Sequence, residues 1–317
     1  IVDVAAGNAE FSTLVAAVQR AGLVETLSGA GPFTVFAPND KAFADSGITD
    51  VSAVPVDQLK TILLYHVIAG TKVESSAVAA GPVDSAADLT FFLGTEGGVT
   101  INGGNGVTGG ANVTSVDVMA SNGVIHVIDR VILPPDIPTA AGYGGLTALV
   151  GAVGAAADLP DGTSVLKALQ GAGPFTVFAP TDAAFGAITA PSDPAVLRDV
   201  LLYHVVAAAV PSSGIPAKAD ALLQNAWGNS ITLLFDTSSG AKVNGASVAI
   251  ADIKTTNGIV HVIDKVLLPP NVIDMAGIAG LSGLAAAIGA AAALPGGTSV
   301  ADALKADAPY TVLAPTN

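Results

Sequence analysis

Residues 123–129 read Gly-Val-Ile-His-Val-Ile-Asp, and residues 258–264 read Gly-Ile-Val-His-Val-Ile-Asp. Each stretch follows an asparagine, Asn122 or Asn257, and runs on through Val131-Ile132-Leu133 or Val266-Leu267-Leu268 into a Pro-Pro pair. Apolar, β-branched runs after Asn-Gly signal a strand launched from a tight hairpin, and the prolines stop it. The chain has four histidines, and two of them sit at the centre of these heptapeptides. They are either halves of one chemical site or the marks of a module used twice.

Working outward favours the module. Residues 31–38 (GPFTVFAP) recur at 173–180, and Leu63-Leu64-Tyr65-His66-Val67 recurs as Leu201-Leu202-Tyr203-His204-Val205. The order is the same in both halves, so these are tandem domains. A third copy opens at Ile273-Asp274-Met275-Ala276, which echoes Val2-Asp3-Val4-Ala5. It reaches residues 309–316, which echo 174–181, and residue 317 precedes any third Tyr-His. We expect domains at 1–137 and 138–272, with 273–317 the opening part of a third. A slice of a longer array is the simpler expectation, and a core completed by a neighbouring chain the bolder one. The joints at Pro134-Pro135 and Pro269-Pro270 carry no Gly/Ser linker, which predicts a semi-rigid connection.

Residues 33–36 and 175–178 are β-prone and end at Ala-Pro; Asn39 and Thr181 then supply helix N-cap chemistry. Leu59, Ile62, Leu63 and His66 fall at helical spacing, as do Leu197, Val200, Leu201 and His204, so each Tyr-His histidine belongs to an apolar stripe. Strands are expected at 89–93, 99–102 and 112–118, and again at 231–236, 241–244 and 247–253. Helices come first and strands last, which predicts an α+β fold with a largely antiparallel sheet or sandwich.

The ordered motifs T-V-F-A-P, then Tyr-His, then N-G-[VI]-[IV]-H-V-I-D with Pro-Pro after it, resemble the fasciclin-like domain. The resemblance covers essentially the whole chain. It implies a β-sandwich or wedge with packed helices in each domain, and an extracellular or cell-surface protein of the adhesion and matrix type. In animal members a segment just before the Asn-Gly turn, together with the Tyr-His region, is implicated in integrin binding. The matching residues are Asp117-Val118-Met119 and Asp252-Ile253-Lys254. They depart from that pattern at Val118 and Lys254, so they are carried over as a contact surface without the integrin. Some fasciclin-like proteins bind carotenoids, so an apolar ligand such as a carotenoid or lipid is the second reading. One Trp, Trp227, and four Tyr offer few stacking platforms for it.

Composition narrows the classes further. The net charge of −14 argues against nucleic acid and against polybasic docking on anionic lipid. There is no cysteine, which removes disulfides, thiol nucleophiles and thiolate metal sites. Hydrophobic residues make up 51% and charged residues only 12%, and no transmembrane segment is expected. The Ala- and Gly-rich residues 276–294 read as a soluble helix. The alanine-rich, cysteine-free sequence has a bacterial look.

Tyr65, His66, His126 and Asp129, with Tyr203, His204, His261 and Asp264, are the doubled polar residues. No H-E-x-x-H, G-x-S-x-G or phosphate-binding glycine loop accompanies them. They are expected to be structural, with the histidines as buried hydrogen bonders; no catalytic residue, metal or cofactor is expected. Asp129 and Asp264, followed by Arg130 and Lys265, read as exposed local charge pairs. Asn112-Val113-Thr114 is a sequon. Where the first repeat has Gln19-Arg20, the second has Gly154-Ala155 and the third Gly289-Ala290. Glycine weakens a helix, so propensity does not explain the change; small residues permit close approach of another backbone, and compositional drift towards Ala and Gly is the alternative. These helix faces are expected to be covered by a neighbouring domain or chain. The partners expected are the protein itself, as an oligomer or head-to-tail filament, and other matrix components.

Overall fold

A computed structural model of the chain describes residues 1–156, 164–224, 230–292, 304 and 312–315. It divides into two compact units, Ile1–Val150 with Ile253–Val260, and Gly151–Asp252 with His261–Asn317.

The first repeat opens with the helices Val2–Ala6, Ser12–Arg20 and Val24–Ser28, followed by strand β1 (Phe33–Pro38) and the helices Asp40–Asp45 and Val56–Tyr65. Strands β2 (Val67–Ala69), β3 (Gly81–Asp84), β4 (Thr90–Gly94), β5 (Thr100–Ile101), β6 (Ala111–Ala120) and β7 (Gly123–Ile128) follow. Their order is β2-β1-β7-β6-β5-β4-β3. The α+β class is therefore present, with one parallel pair in an otherwise antiparallel sheet: β1 runs alongside β7, Phe33 opposite Gly123 and Phe36 opposite His126. The two most repeated motifs, far apart in sequence, are hydrogen-bonded neighbours.

Strand β6 is long because it serves two halves of the sheet. Its first residues pair with β5, Ala111 opposite Ile101, and the rest pairs with β7 through two register breaks. Such irregularities bend and twist a strand. Strand periodicity then sorts side chains onto two cores. Val35, Ala37, Ile125 and Val127 pack with Leu14, Val18, Leu59 and Leu63 of the helices. Phe36 and Ile128, pointing the other way, pack with Tyr65, Phe91 and Ile101.

The second repeat follows the same plan with β8 (Phe175–Pro180), helix Pro194–Tyr203, β9 (Val205–Val206), β10 (Lys218–Gln224), β11 (Ser230–Asp236), β12 (Lys242–Val243), β13 (Ala246–Thr255) and β14 (Gly258–Ile263). Here the sheet closes into a barrel, Ala221 pairing with Val206. In the first repeat one hydrogen bond, Ala86 N–H to Val67 O at 2.7 Å, spans the same gap. The start of the third copy forms helices Val272–Ile278, held by an Asn271/Asp274 capping box, and Ser282–Ala292. Trp227 and residues 309–311 lie outside the described residues.

The hairpin differs from its sequence reading by one residue. Ala120 faces Gly123, so the two loop residues are Ser121 and Asn122, and Gly123 already belongs to β7. The glycine is needed for a different reason. A Cβ on Gly123 would lie 2.0 Å from the Phe33 carbonyl oxygen, and one on Gly31 would lie 2.2 Å from the Asn122 carbonyl oxygen. Close approach of β1 to the hairpin fixes both glycines.

Candidate functional site

His66 caps the C-terminus of helix Val56–Tyr65 and is buried. Its Nε2 accepts from Ile132 N–H at 3.1 Å, which places the proton on Nδ1, donated to Ile62 O at 2.7 Å. His204 repeats this with Leu267 N–H at 2.8 Å and Val200 O at 2.7 Å. Burial disfavours the imidazolium and pulls both pKa values down to about 4. These histidines are the pins that hold the segment leading to Pro-Pro against the helix; the strands expected to run on to the prolines end earlier, at Ile128 and Ile263, where strand pairing stops.

His126 and His261 carry the other tautomer. Nδ1 of His126 accepts from Asp117 N–H at 3.3 Å, and Nε2 donates to Val73 O at 2.8 Å. Nδ1 of His261 accepts from Asp252 N–H at 3.2 Å, and Nε2 donates to Val210 O at 2.8 Å. Their rings stack on Phe36 and Phe178, at 5.6 and 5.5 Å between centroids. In every histidine both ring nitrogens are engaged with the backbone. The phenols behave alike: Tyr65 and Tyr203 donate to Thr90 O and Thr232 O at 3.0 and 3.1 Å.

The doubled carboxylates are engaged as well. Asp129 accepts from Asn112 N–H at 2.8 Å and Asp264 from Ser247 N–H at 2.7 Å, so both carboxylates close a strand ladder, a role beyond the charge pair read from sequence. Asp117 and Asp252 sit at φ 58° and 59° and accept the backbone N–H and hydroxyl of Ser75 and Ser212. The Ser75 bonds hold the Asp117 carboxyl below its ordinary pKa. Of the six residues carried over as a contact surface, Met119 is 49% exposed, whereas Ile253 is buried and Val118 packs against the core. Lys254 binds Asp84 and Asp88 at 3.0 and 2.6 Å. Among the described residues no three His, Cys, Asp or Glu side chains group as metal ligands, and no helix is long and apolar enough to cross a membrane.

Sequence reasoning missed two repeated pairs in this network. Thr34 accepts from Val73 N–H at 2.8 Å and donates to Thr71 O at 2.9 Å, and Thr176 does the same with Val210 and Ala208. Asn102 and Asn244, at φ 53° and 46°, accept from Phe92 and Leu234 N–H and donate to the Tyr65 and Tyr203 hydroxyls. Both occur at matching places in the two repeats, which was the available signal.

The family model of the fasciclin domain matches residues 9–134 and again 153–269. The chain belongs to the fasciclin family. Protein sll1483 of Synechocystis is 52% identical over 141 residues, 43% of this chain and 73% of that protein. Human periostin is 30% identical over 317 residues, which covers 93% of this chain and 35% of periostin. Immunogenic protein MPB70 of Mycobacterium bovis is 33% identical over 143 residues, 41% of this chain and 67% of that one. Among solved structures, a FAS1 domain pair from the insect cell adhesion molecule Fasciclin I aligns over 83% of this chain and 98% of its own, with 18% identity and a TM-score of 0.49.

What varies between the two fasciclin repeats lies outside the shared network. On helix Ser12–Arg20, Arg20 donates to Ser52 O and Val54 O at 2.8 and 3.1 Å. On helix Thr147–Ala155 the corresponding Gly154 and Ala155 are exposed beside Gly151 and Val150, the last at 43%. A Cβ on Gly154 would meet no atom within 4 Å. Ala290 is exposed too; the burial of Gly289 lies outside the described residues. Gly154 and Ala155, expected to be covered, thus lie on an exposed, uncharged face in the single chain. In the first repeat an apolar cavity of about 100 Å³ lies between the helices and β1, lined by Ala5, Val15, Val18, Leu27, Val35 and His66 among others. Sites for drug-sized ligands run to roughly 300–1,000 Å³, so a carotenoid does not fit this one.

Proposed function

We propose that the chain is a non-enzymatic, extracellular or cell-surface adhesion and matrix protein that works through protein–protein contacts and self-assembly, including head-to-tail filaments. One observation carries this reading: the histidines, tyrosines and aspartates that recur in both repeats are spent on backbone hydrogen bonds within the fold. What remains for function is the outer surface. Membership of the fasciclin family supports the same conclusion.

The self-contact is assigned to the uncharged face of helix Thr147–Ala155. Small residues there let a second backbone approach closely, and no charge has to be desolvated. Many weak, repeated contacts then gain strength by multivalency. Contact surfaces before each hairpin turn contribute through Met119, the exposed member of the six. The test is bead clustering with the full chain coupled to the surface. Wild-type beads are expected to cluster, and beads bearing Val150→Glu with Gly154→Glu to stay dispersed. Equal behaviour of the two, clustered or dispersed, would overturn the assignment.

A further inference from the structure

The hairpin residues Ile253–Val260 belong to the first compact unit, and the reason lies in one side chain and one backbone group. Strands β3 and β4 pair Asp84 with Thr90, and Thr90 Oγ1 donates to Asp84 Oδ1 at 2.7 Å. Onto this pair comes Lys254. Its backbone N–H donates to Thr90 Oγ1 at 3.0 Å, and its Nζ reaches Asp84 and Asp88 at 3.0 and 2.6 Å. The two carboxylates raise the lysine pKa, and Thr90 ends up buried. Close by, Thr256 N–H donates to Pro135 O at 2.9 Å and Ile137 N–H to Asn257 Oδ1 at 3.0 Å, so the same hairpin grips the Pro-Pro joint.

The second repeat carries part of the same seat, the Asp–Thr pair, while residues 221–231 hold no acidic counterpart of Asp88. Strands β10 and β11 pair Asp220 with Thr232, Thr232 Oγ1 donates to Asp220 Oδ1 at 3.2 Å, and Tyr203 donates to Thr232 O as Tyr65 does to Thr90 O. Here Asp220 is exposed and Thr232 half-exposed, and among the described residues no lysine reaches them. The seated hairpin also meets a groove, where Thr256 lies with Gln58, Ile62, Leu133 and Pro134. Their sequence counterparts are Val196, Val200, Leu268 and Pro269; Leu268 is 53% exposed, against 46% for Leu133. This joint, like the first, leads directly into a capped helix, Val272–Ile278.

We propose that Asp220 and Thr232 are the docking seat for the hairpin of a fasciclin domain that follows the second repeat, with a lysine at the position of Lys254. The occupant is set by charge complementarity and by the seated hairpin that already shows how the same pair is used. A second copy of this chain offers no free match, because its first hairpin has Met119 at that position and Lys254 is already bound. The inference rests on reading the protein as built from repeated domains in protein–protein contact. It adds which surface makes the next contact and what it selects.

The experiment extends the full chain after Asn317 with a copy of residues 183–272, which completes a third domain bearing its own copy of Lys254. Zero-length carbodiimide coupling and peptide mapping then report carboxylate–lysine pairs within one molecule. The expected result is a link between Asp220 and the appended lysine beside the internal links from Lys254 to Asp84 or Asp88. The new link alone should disappear in Asp220→Asn. Internal links without the Asp220 link would overturn the proposal. If the appended segment fails to fold, residues 271–317 are replaced by a whole copy of 136–272, whose parent folds in the chain, and the same two outcomes decide. Because the link is intramolecular, it is independent of whether beads cluster.

Discussion

His66 Nε2 accepts the backbone N–H of Ile132 at 3.1 Å, sixty-six residues along the chain and fully buried. This bond ties the segment that follows β7 to the helix that precedes β2, and His204 with Leu267 repeats it at 2.8 Å. Replacing His66 by Ala leaves the Ile132 N–H and Ile62 C=O unpaired in the core. At about 1–3 kcal/mol for each buried polar group left unmade, the first repeat should lose about 3 kcal/mol or more. Urea unfolding followed in the full chain measures it, and His204→Ala should act equally on the second repeat.

Both histidines also predict acid sensitivity. Their folded pKa of about 4 lies below the ordinary value of 6.5, so the unfolded chain binds the proton more tightly. The stability they confer is complete above about pH 6.5 and is lost as the pH falls from there to about 4. Each histidine accounts for about 3 kcal/mol across that window. Denaturation midpoints at pH 7 and pH 4.5 should differ accordingly, and His66→Gln should flatten the dependence for the first repeat.

Two glycines separate packing from propensity. Gly123→Ala places a methyl 2.0 Å from the Phe33 carbonyl oxygen and should cost about 3 kcal/mol or prevent folding of the repeat. Gly154→Ala meets nothing within 4 Å on a helix and should stabilise by about 1 kcal/mol. Thermal melts of the two variants test the contrast.

Asp117 holds a left-handed conformation at φ 58° and accepts two hydrogen bonds from Ser75. Asp117→Ala removes the acceptor and strains the backbone, so its melting temperature should fall below that of Asp117→Asn, which tolerates the conformation and keeps one oxygen. The carboxylate's contribution is present above its ordinary pKa of 3.8 and disappears as the pH falls through the lowered folded value.

Much of this was legible in the sequence. Doubling exposed the module, and Leu59, Ile62, Leu63 and His66 at helical spacing placed the Tyr-His pair on the core face of a helix. The strands Gly81–Asp84 and Lys218–Gln224 were not legible, because residues such as Gly81, Pro82 and Asp220 carry little β propensity and their pairing is decided by the neighbouring strand. Nor could the sequence give the parallel β1–β7 pair, which depends on how the chain returns. The surroundings of the residues read as a contact surface were not legible for a related reason. Ile253 looks like part of an exposed hairpin until strand alternation turns it inward, and Lys254 looks free until Asp84 and Asp88 are seen beside it.

The central claim is that the repeated polar residues build the fold and the uncharged helix face makes the contacts. Sedimentation velocity of the full chain over a concentration series tests it most directly. The account predicts association that grows with concentration in the wild type and in Gly154→Ala, and a monomer of unchanged circular dichroism in Val150→Glu with Gly154→Glu. A wild-type chain that stays monomeric throughout, or association that survives the double glutamate, would contradict it.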